Sequence, residues 1–167
     1  MTAEELLIHP ERISERPLVF EGSAGLDDLP GLEDAVANDR VELRYRVTAR
    51  LDRQRRKVVS CIIEGFVFLT CQSSLEAFRH EVSVNDALVL VDRESELPPF
   101  EEESDAEDYM VADGPIDVLD LVEEAVLLAL PMVPRKPGLE AGEAGKPATA
   151  PAESPFAALE RLRKKTD

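Results

Sequence analysis

Two cysteines, two histidines and many carboxylates are the side chains with chemistry to offer in this sequence. Cys61 and Cys71 stand ten residues apart on what the local alternation makes one face of one strand. That is about 33 Å in an extended chain, too far to bridge within it, so buried, reduced thiols are expected. A structural zinc site takes four ligands. His9, His80, Cys61 and Cys71 are the whole histidine and cysteine complement and show no paired spacing, so neither metal nor other cofactor is expected. Gly22-Ser23-Ala24-Gly25 has the composition of a turn. No Lys-Ser/Thr follows it, which excludes a phosphate loop, and Ser23 is not expected to be a nucleophile. Asp120, Glu123 and Glu124 lie on the outer face of a predicted helix without a His or Lys partner, the pattern of solvated acids rather than a catalytic pair. With no nucleophile–base arrangement in view, no enzyme is expected.

The elements that must position any functional group centre on Val41 to Val91. From Val41 to Leu51 the odd positions are apolar and the even ones (Glu42, Arg44, Arg46, Thr48, Arg50) polar, the period of two of a strand with one wet face. Polar residues from Asp52 to Lys57 predict a hairpin connection. A second strand, Val58 to Cys71, carries Val59, Cys61, Ile63, Val67 and Leu69 on one face and Ile62, Phe66 and Phe68 on the other, so burial on both sides is expected. A third run, Phe78 to Val91, alternates, breaks at Asn85-Asp86 and resumes. The product is an antiparallel meander of about four to six strands. Leu6-Leu7-Ile8 with His9-Pro10, and Leu18 to Gly22, are each expected to supply a short strand or an edge contact, and Leu26 to Ala37 a short amphipathic helix starting no earlier than about Pro30. Asp117 is a credible N-cap, with Ile116 placed to staple onto Leu121. The helix it opens bears a stripe of Val118, Leu121, Val122, Ala125 and Leu128 and stops at Pro131.

Charge divides the chain. The net charge is -16, yet Arg40 to Lys57 holds eight basic residues against two acidic ones, and Arg161 to Lys165 holds four basic residues. Asp92 to Glu124 holds fourteen acidic residues against one basic. Mutual repulsion among its acids predicts a mobile acidic loop over about 93–114. Pro134 to Pro155 contains five Pro, three Gly and five Ala, a linker composition. Phe156, Leu159 and Leu162 beyond it form one face of a short basic tail helix, too short to stand alone in water. The expectation is therefore an α+β fold: a single domain over 1–133, a linker over 134–155 and a tail over 156–167. So acidic a protein is repelled by nucleic-acid phosphate at long range, which confines RNA contact to the basic patches or favours a basic protein partner. No apolar run approaches the roughly 18 residues of a membrane span. The acidic start Met1-Thr2-Ala3-Glu4-Glu5 lacks a basic n-region, so no secretory signal and a cytoplasmic location are expected.

Three motifs in order carry a resemblance: Cys71-Gln72, Leu130-Pro131-Met132-Val133-Pro134 and Pro155-Phe156-Ala157-Ala158-Leu159. With the long strands, acidic stretch and helix between them, the chain resembles the YceD family of large ribosomal RNA subunit accumulation proteins along nearly its whole length. That resemblance implies a cytoplasmic, non-catalytic protein needed for normal accumulation of 23S ribosomal RNA, commonly encoded beside a large-subunit ribosomal protein. The family turn usually reads Cys-Gln-Arg-Cys, and here Ser73 and Ser74 stand in the last two places. Some relatives carry a further cysteine pair that could complete a metal site; nothing after Cys71 supplies one here.

These readings converge on a non-catalytic ribosome-biogenesis factor that binds precursor ribosomal RNA or a large-subunit ribosomal protein. The candidate contacts are Arg44, Arg46, Arg50, Cys71, Gln72, Arg161, Arg163, Lys164 and Lys165. The alternative is a protein-only adaptor or chaperone for a basic partner, and nuclease sensitivity of partner capture discriminates the two.

Overall fold

The computed structural model of the chain describes residues 6–98 and 108–138. Strands β1 (Leu7–Ile8), β2 (Leu18–Ala24), β3 (Glu42–Leu51), β4 (Lys57–Thr70), β5 (Ala77–Val91), β6 (Asp108–Val111) and β7 (Ile116–Asp117) precede one helix, α1 (Val118–Ala129). The class is α+β. Five strands form one sheet in the order β2-β3-β4-β5-β6, while β1 and β7 pair separately. The pairs from β2 to β5 are antiparallel, and β6 joins β5 in parallel. Contacts divide the chain into two units, Met1–Lys136 and Pro137–Asp167, and every element named above belongs to the first.

Alternation explains which sheet face is covered. Leu43, Tyr45, Val47 and Ala49 of β3 and Val59, Cys61, Ile63, Val67 and Leu69 of β4 are all buried, and Val82, Val84 and Leu90 of β5 join them. Helix α1 closes this inner face with Val118, Leu121, Val122 and Val126. It starts where the sequence places it: Asp117 Oδ1 accepts the Leu119 amide at 2.7 Å and the Asp120 amide at 3.4 Å, offsetting two donors that have no partner inside the helix.

Several local expectations give way. Strand β4 is not buried on both sides. Its even face is open, with Ile62 41% exposed and Phe66 and Phe68 partly covered. Strand β5 runs through Asn85-Asp86 without a break, since Asn85 pairs with Ile62 and Asp86 with Cys61; polar side chains interrupt the apolar pattern but not the backbone ladder. Gly22 and Ser23 lie inside β2 rather than in a turn. Gly22 is there because the Tyr45 ring crosses it: a Cβ would meet Tyr45 Oη at 2.6 Å. Leu26 to Ala37 forms two single 3-10 turns, Leu26–Asp28 and Pro30–Leu32, separated at Leu29, whose φ of -131° and ψ of 66° before Pro30 are not helical.

Two further expectations need revision. The segment Asp108–Val111, assigned by its neighbours to the acidic loop, is strand β6, paired with Leu88–Val91. Leu128, expected in the buried stripe of α1, is 81% exposed. Residues 99–107 of the expected acidic loop, residues 139–155 of the linker and the whole basic tail lie outside the described residues. Among the described residues, no helix is long and apolar enough to cross a membrane.

Gly65 fixes how closely β3 and β4 approach. Its φ of +154° is open to glycine and strained for other residues, and a Cβ there would collide with the carbonyl oxygen of Glu42. Gly65→Ala is therefore expected to lower stability by about 3 kcal/mol. Arg50→Ala on the open face of the same sheet should stay within about 0.5 kcal/mol. Urea unfolding midpoints of the two variants check the contrast.

Candidate interaction face and the Cys71 turn

Arg44, Arg46 and Arg50 alternate along β3 and all three are exposed on the open face of the sheet. Their surroundings come from register rather than from sequence proximity. Arg46 faces Glu21 of β2, and its Nε lies 2.7 Å from Glu21 Oε1. Arg44 stands between Ser23 and Glu64, while Arg50 faces Val58 and no carboxylate across β4. The basic face is thus interleaved with acids at one end and open at the other.

Beside the arginines lies a pair of rings that the expectation of two-sided burial concealed. Phe66 and Phe68 pack edge to face, with centroids 6.1 Å apart and planes at 81°. The Arg79 guanidinium sits 3.8 Å from the Phe66 centroid and the Arg40 guanidinium 4.9 Å from that of Phe68. Such cation–π contacts let the arginines shield ring faces that would otherwise meet water. Arg79 pairs across the ladder with Phe68, and Phe66 with Glu81. Only the register brings these residues together, so no local sequence signal marks them. A shallow cleft of about 910 Å3 opens here, with Arg44, Glu64, Phe66 and Arg79 among its walls.

The Cys71 turn is a separate place. It follows the last residue of β4, and Cys71 points to the inner side with no exposed surface. Counting along the ladder, it lies about 40 Å from the level of Arg50. The structure therefore groups the three strand arginines on one face and leaves Cys71 and Gln72 apart from them. Arg161, Arg163, Lys164 and Lys165 fall outside the described residues. The turn is closed by the Cys71 amide donating to Glu76 O at 2.9 Å and the Leu75 amide donating to Cys71 O at 2.8 Å. Leu75 takes a positive φ of 58° to allow this.

The turn also holds the chain that follows α1. The Gln72 amide donates to Pro134 O at 2.9 Å, the Lys136 amide to Cys71 Sγ at 3.4 Å, and Lys136 Nζ meets Glu76 Oε2 at 3.2 Å. Pro134, Arg135 and Lys136, assigned to the linker by composition, are thus tied to the sheet. Around Sγ the hydroxyl of Ser74 and the amides of Lys136, Ser74 and Ser73 outweigh burial and bring the thiol down to about 6. Every one of these neighbours donates to sulfur. Donors of that kind hold a thiolate and do not fit a metal ion, and no group of three or more potential ligands gathers anywhere among the described residues. Cys61 is the opposite case: burial first, then the Asp86 charge, push its thiol up to about 11. Both cysteines are free.

A family model described as the large ribosomal RNA subunit accumulation protein YceD matches residues 59–163, well over half of the chain. The chain belongs to the YceD family. The match takes in β4, β5, the Cys71 turn and α1. A YceD relative from Haemophilus influenzae, named large ribosomal RNA subunit accumulation protein, is 25% identical over 132 residues, which covers 77% of this chain and 74% of the relative. No solved structure matches. Within the matched region, Ser73 and Ser74 are hydrogen-bond donors to the Cys71 thiol.

A thiol lowered to about 6 in the folded chain and returning to about 9 on unfolding adds stability that is complete above pH 9. That contribution declines as pH falls and is gone below about pH 6. The ultraviolet thiolate absorbance of the native protein should accordingly rise by one thiol near pH 6. Cys71→Ser should abolish this step and Cys61→Ser should keep it. The stability advantage of wild type over Cys71→Ser should widen between pH 6 and pH 9.

Proposed function

We propose that this protein supports accumulation of the large ribosomal RNA as a non-catalytic cytoplasmic binding factor, and that it contacts a single-stranded segment of the precursor RNA through the open face of its sheet. Family membership supplies the process. The contact rests on one observation: the face that α1 leaves uncovered presents Arg44, Arg46 and Arg50 beside two rings already carrying guanidinium groups. Aromatic rings and arginine planes stack on unpaired bases, and flanking arginines meet phosphates. On a chain of net charge -16, such a face confines RNA contact to one place. A large-subunit ribosomal protein as the first partner is the second reading, favoured by the acidity of the rest of the surface.

The test is complementation. In cells depleted of the protein, wild type should restore the ratio of large to small ribosomal RNA. The triple variant Arg44→Glu, Arg46→Glu, Arg50→Glu should fold and accumulate yet fail to restore it. RNA cross-linked to the wild type should drop at least tenfold in the variant, the loss expected on reversing three phosphate contacts. Full complementation by the triple variant would remove this face from the function.

A further inference from the structure

The inner side of the sheet is not fully covered. Between the second half of α1 and strands β5 and β6 a crevice of about 150 Å3 opens, room for roughly five waters. Its floor is apolar, formed by Leu88, Met110 and Leu121. Its rim is acidic: Asp86, Asp108 and Glu124 all line it, all three are exposed, and no basic side chain does. The cause is visible in the register. Asp86 stands opposite Cys61 on the inward face of β5, where Val82 and Val84 are buried, so a carboxylate occupies a core-facing position and the helix cannot close over it. Leu128, two turns beyond Leu121 on the same side of α1, is left 81% exposed as the far wall.

Some carboxylates outside the crevice meet cations, Glu21 with Arg46, Asp92 with Lys57 and Glu76 with Lys136, while others such as Glu33, Glu64 and Glu94 take part in no ion pair among the described residues. Asp86, Asp108 and Glu124 take part in no ion pair among the described residues. An apolar slot rimmed by three such acids is complementary to one kind of side chain, a long aliphatic stem ending in a cation.

We propose that this crevice is a docking site for a basic amphipathic helical segment of a partner protein, which lays an arginine or lysine stem on Leu88, Met110, Leu121 and Leu128 and sets its charge among Asp86, Asp108 and Glu124. The site lies on the side of the sheet opposite the arginine face and does not depend on the RNA contact proposed there. Cys61, its thiol kept protonated by burial and by Asp86, serves as part of the neutral floor.

The experiment titrates the full-length isotopically labelled protein with a synthetic helical peptide of leucine, alanine and arginine, and with its glutamate-for-arginine counterpart. The arginine peptide should bind and shift amide signals of Asp86, Asp108 and the last turns of α1, and the glutamate peptide should not. Asp86→Asn with Asp108→Asn should weaken binding about tenfold, as expected when a docked cation loses its partners. Leu128→Ser should weaken it as well, by removing the apolar wall. Glu33→Gln with Glu94→Gln, an equal charge change outside the crevice, should leave the affinity within about twofold. Equal losses in the two double variants, or shifts scattered over the acidic surface, would reduce the effect to bulk attraction and overturn the proposal. So would crevice shifts produced by a single-stranded RNA oligonucleotide, or by raising the protein's own concentration without peptide. Ribosomal RNA levels do not enter the readout, so this result stands apart from that of the complementation test.

Discussion

Along β4 the odd-numbered side chains from Val59 to Leu69 vanish into the core, while β5 pairs with the strand residue by residue from Lys57↔Leu90 to Thr70↔Ala77. A shift of one residue in that ladder would turn Val59, Ile63, Val67 and Leu69 to water and drive Glu64 and the Phe66 and Phe68 rings to the core side. Each such aliphatic burial contributes about 1.5–3 kcal/mol, so the register is held by many kcal/mol acting together. Gly65 permits the closest approach of β3 to this ladder, and α1 has its apolar stripe only because the ladder presents a matching face. The arginine face, the Phe66–Phe68 pair and the acidic crevice are all placed by the same register.

Much of the frame was legible because its signals are local. Period-two alternation located β3, β4 and β5 to within a residue or two at each end, and Asp117 before an apolar stripe marked the start of α1. Parity alone placed Arg44, Arg46 and Arg50 on one face. What the sequence hid depends on pairing between distant segments. Glu21 beside Arg46, Arg79 over Phe66 and Asp86 opposite Cys61 are neighbours only once the strands are in register. Four residues of strand β6 were hidden among acids because Tyr109-Met110-Val111 is too short a run to outweigh its surroundings. The even face of β4 is apolar enough to predict burial, yet arginine side chains rather than a second layer cover its rings.

The Cys71 turn joins the sheet to the chain beyond α1 through one sulfur atom. Here Ser74 donates to Cys71 Sγ, and the Lys136 amide approaches the same atom from the chain beyond α1. The sulfur joins the turn to that chain as a hydrogen-bond acceptor whose strength grows with its negative charge.

Two faces of one sheet then carry opposite electrostatic characters at a distance of one layer. The outer face carries Arg44, Arg46 and Arg50, and the inner side, where α1 packs, ends in a crevice ringed by carboxylates. In a chain this acidic, arginines dispersed among the acids would give a uniformly negative field that repels phosphate everywhere. Gathered on one sheet face they keep several cations together, although Glu21 and Glu64 stand beside Arg46 and Arg44 and only Arg50 faces no carboxylate across the ladder. A molecule so arranged can hold an anion on one side and a cation on the other without either competing for the same surface. That is the physical reason the proposed RNA contact and the proposed docking of a basic segment do not compete for one surface.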